Sequence, residues 1–351
     1  MKYLLVGDMH LKEKMGYSDF VFDKRKKEKE DVLNFILDLS KDCDKVIFLG
    51  DQLNGRNNPS EVIKEFVNYV EKFKCEVIII AGNHEKKGDG RSAIDFMKEI
   101  SGKNWHIITD EIKEIDGDVF CPYFFKGEME VDNNVDATNK LLKSLLKKEF
   151  KDKNLFIHHA VSGYNIKSER SGGKEGKVLD TNLLCEILLP KKEVVTHFKK
   201  IICGHIHTPY NKKNDKVFYA GSIFSNEINE GSKYVYKMEN DEIVPHKLPG
   251  REIIRLEDPT VEDIEKEDKS SILKVVLNKK PSEEKGEAIK EALGEFDGSV
   301  LVEDYKVDRK IVKFMDGELD LDPVNLMKIY AEERKVDFKK LSDGYNFITN
   351  D

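Results

Sequence analysis

Long apolar runs are absent from this chain of 351 residues. No stretch approaches the roughly 20 consecutive apolar residues that a membrane-spanning helix needs. The sequence enters a strand-like segment almost at once, from Tyr3 to Val6, so no secretory leader is expected ahead of it. These absences predict a cytoplasmic protein without a membrane segment.

Cysteine is scarce and irregularly spaced, with five residues and no CxxC pair. This odd number without paired spacing argues against a disulfide framework, and it also argues against the usual thiolate metal sites. Several of the cysteines lie within apolar segments. They are therefore predicted to be reduced thiols, in agreement with a cytoplasmic location.

The chain also lacks an excess of positive charge. Lys and Arg number 59 against 67 Asp and Glu, which gives a formal net charge of −8 at pH 7. A protein with this balance has no overall attraction for nucleic acid. Any phosphate-backbone partner must therefore be held by a local positive patch and by bound metal.

Metal-ligand residue types, in contrast, are concentrated in five short motifs within the first 210 residues. Each motif follows an apolar run typical of a buried strand, so its polar side chains lie where a strand ends. Open α/β sheets place their active sites at such strand ends. Six of the nine histidines fall in these motifs, which are Gly7-Asp8-Met9-His10, Gly50-Asp51, Gly82-Asn83-His84-Glu85, His158-His159 and Gly204-His205-Ile206-His207.

The donor chemistry of the motifs favours two metal ions. Asp8 and His10 are two residues apart and can reach one cation, while Asp51 supplies a carboxylate able to bridge two cations about 3.5 to 4 Å apart. Asn83 offers an amide oxygen, and the two histidines of the last motif can serve one metal each. Imidazole, carboxylate and amide donors without thiolate suit Mn, Fe, Zn, Co or Ni.

Strand-like segments alternate with amphipathic helical patterns through the first half, which predicts an α/β domain. The helical patterns cover residues 24–39, 59–73, 92–100 and 137–150. From about Pro249 the pattern becomes that of a small α+β unit, and Asp322 followed by Pro323 predicts the start of a terminal helix. We therefore expect three parts, at residues 1–248, 249–315 and 316–351.

Taken together, the five motifs resemble the signature of the calcineurin-like metallophosphoesterase superfamily, over roughly residues 1 to 240. The resemblance implies a four-layer α/β/β/α sandwich, in which helices flank two stacked mixed sheets and a dinuclear centre lies at the strand ends. The first metal is assigned by this resemblance to Asp8, His10, Asp51 and His207. The second is assigned to Asp51, Asn83, His205 and one histidine of the 158/159 pair.

Two of these assignments concern single histidines. His84 matches the family's catalytic histidine, which would lie beside the metals without binding them and give a proton to the leaving oxygen. His158 and His159 are adjacent at a strand end and point to opposite sides, so one of them is expected to reach the metal. The spacing to Gly163-Tyr164 favours His158, and His159 stays open as the alternative.

The substrate is less constrained than the chemistry, because the superfamily contains phosphatases, cyclic-nucleotide phosphodiesterases, nucleotidases and nucleases. The Val-Asp-Arg-Gly of protein phosphatases is replaced here by Gln52-Leu53-Asn54-Gly55-Arg56. Three later features resemble the SbcD-type branch of DNA double-strand-break repair nucleases: Phe218 to Ser222, Gly231 to Tyr234 and the small domain after Pro249. A small-molecule phosphodiesterase or phosphatase is the alternative, and a non-catalytic binding module ranks last because no ligand is missing.

The SbcD-type resemblance implies a manganese-dependent 3′ to 5′ exonuclease and endonuclease that acts on DNA in repair or recombination. The partner it implies is a coiled-coil ATPase of the SbcC type, and a homodimer is a further expectation. Arg91, Lys167 and Arg170 lie in cationic segments flanking the predicted centre and are candidate contacts to backbone phosphates. The alternative for these segments is a solvated loop, because Asp and Glu are interspersed among the cations.

Overall fold

The protein is described by a computed structural model at residues 1–15, 22–100, 102, 104–163, 187–225 and 230–303. Its helices are α1 (Phe22–Ser40), α2 (Ser60–Val70), α3 (Met97–Ile100), α4 (Asn134–Leu145), α5 (Lys191–His197), α6 (Val261–Glu265) and α7 (Glu283–Leu293). Its first eight strands are β1 (Lys2–Val6), β2 (Lys45–Phe48), β3 (Glu76–Ile80), β4 (Trp105–Ile108), β5 (Lys113–Ile115), β6 (Asp118–Cys121), β7 (Asn154–Ile157) and β8 (Ala160–Val161). The others are β9 (Leu188–Leu189), β10 (Lys200–Cys203), β11 (Val217–Tyr219), β12 (Tyr234–Glu239), β13 (Glu242–Lys247), β14 (Ile253–Glu257), β15 (Ile272–Leu277) and β16 (Val300–Glu303).

Two mixed sheets form the centre of the fold. The first has six strands in the order β13-β12-β1-β2-β3-β4, with β1 to β4 parallel and β12 antiparallel to β1. The second has five strands in the order β11-β10-β7-β6-β5, parallel except for the pair β5 and β6. Strands β2 and β3 are apolar almost throughout, as expected for strands covered on both faces.

Alternation along the strands divides the buried side chains into three layers of apolar contact. Leu5, Ile47 and Ile78 from the first sheet pack against Phe120 and Phe156 from the second, so the two sheets face each other. The opposite face of the first sheet is covered by α1 and α2, and that of the second by α4 and α5. The predicted four-layer α/β/β/α sandwich is confirmed.

One helix is much shorter than its sequence pattern predicts. The pattern indicates a helix over residues 92–100, but α3 spans Met97–Ile100 alone. The Asp95 carboxylate accepts hydrogen bonds from Ser92 N at 2.6 Å and from Thr109 Oγ1 at 2.7 Å. A short acidic side chain that bonds to the backbone in this way competes with the helix and produces a turn.

A third sheet, β14-β15-β16, is parallel and accompanies α6 and α7. This is the small α+β region expected after Pro249. Arg251, at its start, donates through its backbone N to Glu28 Oε1 of α1 at 2.9 Å, and through Nε to Ser270 O at 2.7 Å. The boundaries at residues 248 and 315 stay predictions, and the terminal helix predicted at Asp322 lies outside the described residues.

Among the helices that the structure describes, none is long and apolar enough to cross a membrane. The four cysteines within the described residues, Cys43, Cys75, Cys121 and Cys203, are free thiols.

The contact between the two sheets generates a stability prediction. Phe156 is fully buried and stacks on Phe120, with ring centroids 4.9 Å apart. Phe156→Ala should lower the free energy of unfolding by about 3 to 5 kcal/mol, because it leaves a cavity between the sheets. Phe96→Ala is the matched control, since Phe96 is 37% exposed. Urea unfolding followed by circular dichroism measures both, and equal stability losses would contradict the stacked-sheet core.

Candidate dinuclear metal centre

The five motifs meet at one edge of the sandwich, where parallel strands of both sheets end. Asp8, Asp51 and Asn83 follow β1, β2 and β3 of the first sheet. His158 and His205 follow β7 and β10 of the second. Since the carboxyl ends of neighbouring parallel strands lie side by side, motifs far apart in sequence become adjacent in space.

One group of donors gathers Asp8, His10 and His207. The Nε2 atoms of His10 and His207 lie 2.8 Å apart. The Asp8 Oδ2 atom is 3.8 Å from His207 Nε2 and 4.0 Å from His10 Nε2. Three donor atoms at these separations surround a point that one cation can fill.

A second group gathers Asp51, His158 and His205, together with the amide of Asn83. The Asn83 Oδ1 atom is 3.2 Å from His158 Nε2 and 3.0 Å from His205 Nδ1. Asp51 Oδ2 lies 3.3 Å from His158 Nε2 and 3.8 Å from His10 Nε2 of the first group. One carboxylate oxygen therefore stands between the two groups, as a bridging ligand must.

The buried charges fit a cation site. Asp8 and Asp51 are 0% and 2% exposed, and within the described chain neither pairs with a lysine or arginine. A buried carboxylate without such a partner is costly unless a cation or strong hydrogen bonds compensate it. The surrounding donors are imidazole and amide groups, which suit Mn, Fe, Zn, Co or Ni.

The protonation states of these side chains are strongly perturbed. Burial raises the pKa of Asp8, whereas at Asp51 the same effect is outweighed by His158, which lowers the pKa of that carboxyl. Burial lowers the pKa of His10 to about 3, so its imidazole is neutral and has a free lone pair. At His158 burial is outweighed by Asp51 and Asp8, and the pKa rises to about 9.

Backbone strain marks the same place. His10, Asp51 and His205 have φ angles of 47°, 53° and 77°, in the left-handed region that residues other than glycine seldom occupy. The backbone N–H groups of Met9 and His10 both donate to Asp51 O, at 3.0 and 2.9 Å. Strained residues that the surrounding structure holds in place cluster at functional sites.

His84 lies at the opening of the cluster, with its side chain 42% exposed. Its Nδ1 donates to Asn54 O at 2.9 Å, since a carbonyl can act only as an acceptor. The Nε2 atom therefore faces the cluster, 4.0 Å from Asp51 Oδ2. His84 also forms a possible ligand group with His10 and Asp51, so the geometry allows either a proton donor or a ligand at this position.

The two adjacent histidines have different surroundings. His158 joins the second donor group, whereas His159 belongs to none of the groups found among the described residues. His159 Nε2 accepts from Phe124 N at 3.0 Å, and its ring stacks on Tyr123 at 4.5 Å. Successive side chains of a strand point to opposite faces, and the structure assigns the face towards Asp51 to His158.

Sequence reasoning gave no role to Glu85, although it stands in the third motif. Its fully buried carboxylate accepts backbone hydrogen bonds from Asp51 N, Leu53 N and Gly82 N at 3.0, 2.6 and 2.8 Å. Burial and the neighbouring Asp51 raise the pKa of Glu85 to about 8, against the backbone donors Leu53 N and Gly82 N, which favour the ionised form. Glu85 ties the loop after β2 to the loop after β3.

Glu230 is a second residue that the sequence did not single out. Its Oε1 is 3.4 Å from His207 Nδ1, and its Oε2 is 3.0 Å from Lys233 Nζ, which also donates to Ser222 Oγ at 2.7 Å. Burial raises the pKa of Glu230, but His207 and Lys233 outweigh it and bring the pKa to about 2. An ionised carboxylate at this position orients the ring of His207, whose Nε2 faces Asp8 and His10.

Of the three predicted phosphate contacts, the structure describes Arg91 alone. Lys167 and Arg170 lie outside the described residues. Arg91 is exposed, and its Nε and one terminal nitrogen donate to Asp89 Oδ2 at 2.8 and 2.6 Å. Its guanidinium is therefore already paired with a carboxylate of the same loop.

Known proteins are similar to parts of this chain. The model of the calcineurin-like phosphoesterase family matches residues 1–209. The chain is 23% identical over 270 residues to the SbcD component of the SbcCD nuclease of Staphylococcus epidermidis (strain ATCC 12228 / FDA PCI 1200), covering 70% of this chain and 68% of that protein. A solved structure described as a novel archaeal phosphodiesterase matches with a TM-score of 0.35 and 15% identity, over 71% of this chain and 100% of that one.

Gly82 provides a direct test of the site. A Cβ atom there would lie 2.1 Å from Asp51 Oδ1 and 2.4 Å from Asp51 N, so Gly82→Ala must displace the residue between the two donor groups. We expect affinity for divalent cations to fall on the order of ten- to a hundredfold. Gly88→Ala is the matched control, because nothing lies within 4 Å of its Cβ position. Titration calorimetry with Mn²⁺ measures both, and unchanged affinity in Gly82→Ala would exclude Asp51 as a shared ligand.

Proposed function

The chain belongs to the calcineurin-like phosphoesterase family, and on that premise we propose that it is a dinuclear-metal phosphodiesterase that cleaves DNA. The observation that carries the proposal is the Asp51 carboxylate standing between two groups of metal-ligand side chains. The family match makes the chain a metal-dependent phosphoesterase. The choice of DNA, the metal and the residue roles are the proposal.

We assign one cation to Asp8, His10, Asp51 and His207, and the other to Asp51, Asn83, His158 and His205. When bound, such ions polarise a phosphoryl oxygen and lower the pKa of a coordinated water towards neutrality. Two divalent cations carry more positive charge than the two aspartates return, so the site attracts a phosphodiester. Glu85 and Glu230 position the ligands and do not touch the substrate.

The role proposed for His84 is to protonate the leaving oxygen. Its Nδ1 is held by Asn54 O, which fixes the ring and leaves Nε2 to exchange a proton at the opening of the cluster. An exposed imidazole retains access to solvent and can recover its proton after each turnover. Positioned acid catalysis of this type contributes about 10² to 10⁴ in rate.

DNA is proposed as the substrate because of the likeness to a nuclease component from Staphylococcus epidermidis. The resemblance of residues 218–222 and of the small region after Pro249 to an SbcD-type nuclease, seen in the sequence, supports the same substrate. On the same basis we propose manganese as the metal and 3′ to 5′ exonuclease together with endonuclease activity. The cellular role proposed is DNA repair or recombination.

A protein partner is part of the proposal, since the relative's name makes it one component of a complex. We propose a coiled-coil ATPase of the SbcC type, with this chain as a homodimer. Co-expression with such an ATPase from the same genome should give a complex that elutes together in size-exclusion chromatography. Separate elution of the two proteins at micromolar concentration would contradict this partner.

His84→Ala tests the catalytic assignment. The purified protein with Mn²⁺ should degrade labelled duplex DNA, and EDTA should abolish the cleavage. In His84→Ala we expect kcat to fall about 10²- to 10⁴-fold because the proton donor is lost, while metal content measured by mass spectrometry stays near two ions per chain. His246→Ala, a histidine on β13 at the far edge of the first sheet, serves as the control.

The outcomes of this experiment distinguish the possible roles and substrates. Loss of metal in His84→Ala would make His84 a ligand, and retained cleavage would remove its role altogether. Efficient hydrolysis of cyclic nucleotides or phosphomonoesters without cleavage of DNA would replace the nuclease proposal with the small-molecule alternative.

A further inference from the structure

We propose that Arg56 and Phe125 form a binding subsite for the phosphate next to the scissile one in a nucleic acid substrate. The inference rests on the proposed function, because it takes a polymeric phosphodiester as the substrate. Neither residue belongs to the donor groups of the metal centre. Their contribution is to binding and to the choice of substrate.

Both residues are linked to the metal cluster through residues two positions away in the sequence. Arg56 is two residues after Asn54, whose carbonyl holds the exposed ring of His84. Phe125 is two residues after Tyr123, whose ring centroid lies 5.8 Å from that of His205 and 4.9 Å from that of Phe125. Arg56 is therefore linked to the His84 side of the centre, and Phe125 is linked to the His205 side.

The Arg56 guanidinium lies over the Phe125 ring, with Cζ 5.4 Å from the centroid. Arg56 is exposed and Phe125 is half-buried. Contact with an aromatic ring leaves the charge of a guanidinium in place. The guanidinium also carries parallel N–H donors that match two phosphate oxygens.

The backbone around Phe125 is held in place by Glu128 and Lys86. Phe125 N donates to Glu128 Oε1 at 2.9 Å. The buried Lys86 ammonium pairs with Glu128 and donates to Tyr123 O at 2.9 Å. A fixed aromatic surface reduces the entropy that Arg56 loses when it binds a ligand.

Charge distribution distinguishes Arg56 from Lys86 and Arg91. Lys86 is buried and paired with Glu128, and Arg91 is paired with Asp89. In the part of the chain that the structure describes, no carboxylate lies in ion-pair contact with Arg56. Because the protein has a net charge of −8, an anionic polymer needs such a local unneutralised cation.

The experiment compares two substrates of the metal-loaded protein. A dinucleoside monophosphate carries the scissile phosphate alone, whereas a single-stranded oligonucleotide also carries flanking phosphates. Arg56→Ala should raise KM for the oligonucleotide about tenfold and leave KM and kcat for the dinucleoside monophosphate unchanged. The slope of log kcat/KM against log salt should become shallower by about 0.7, the contribution of one phosphate contact on single strands.

Two further variants sharpen the comparison. Arg56→Lys keeps the charge but loses the planar donor edge, so we expect an intermediate KM for the oligonucleotide. Lys147→Ala is the matched control, because its ammonium lies 5.7 Å from the Phe150 ring centroid. Lys147 precedes β7, at the end opposite to His158. The Lys147→Ala substitution removes an equal charge and should leave KM and kcat for both substrates unchanged.

Equal changes on both substrates would make Arg56 a residue of the reaction site or of the fold, and would overturn the subsite. An unchanged KM in Arg56→Ala would overturn it as well. If the unmodified protein hydrolyses the dinucleoside monophosphate but leaves the oligonucleotide intact, the proposed DNA substrate is wrong, and the subsite fails with it. Normal cleavage of the oligonucleotide by the unmodified protein with no effect of Arg56→Ala refutes the subsite alone.

Discussion

Asp8 and Asp51 bring two negative charges to a place where neither residue is more than 2% exposed. Burial of an unpaired carboxylate costs several kcal/mol unless its charge is compensated. Here the compensation comes from imidazoles and backbone N–H groups, because lysine and arginine do not reach these oxygens within the described residues. Bound cations would complete the compensation of the two carboxylate charges. Compensating these two buried charges requires the ends of strands from both sheets to lie in the same small volume.

The loops show how the need is met. Asp8 accepts from His205 N with both oxygens at 3.1 Å, and Asp51 accepts from His84 N at 2.8 Å. These bonds cross from one motif to another, so each aspartate also aligns a histidine loop of the centre. Positive φ at His10, Asp51 and His205 is the cost of turning each chain so sharply. Rigid strands supply the support that makes such strain tolerable.

Much of the centre could be predicted from the sequence, because its motifs repeat one arrangement: an apolar strand followed by a metal-ligand residue. The alternation of strands and helices predicts an α/β domain, and the four-layer arrangement is what the resemblance of the motifs to the phosphoesterase family implies. Glu85 and Glu230 were missed for a physical reason. Each acts through a contact that only the tertiary structure creates. Among 67 acidic residues, nothing in the neighbouring sequence distinguishes these two carboxylates from the others. Strand β13 contains Pro245, which edge strands tolerate, so its sequence carries only a weak strand signal. The sequence alone could not decide whether His158 or His159 faces Asp51. Adjacent residues at a strand end point to opposite faces, and only the structure shows which face lies towards the cluster.

The exposed cations near the metal cluster also have contacts that the sequence alone does not reveal. In the sequence Arg56 and Arg91 are equivalent, because both follow a ligand motif within a few residues and both stand in polar loops. The structure separates them by their neighbours: Asp89 neutralises Arg91, whereas an aromatic ring supports Arg56 without neutralising it. A guanidinium on a ring keeps its charge and its donors, so it can still attract an anion. In the proposed function, the buried donor groups therefore select the bond that is hydrolysed, and exposed cations without a carboxylate partner, such as Arg56, select the phosphodiesters that bind.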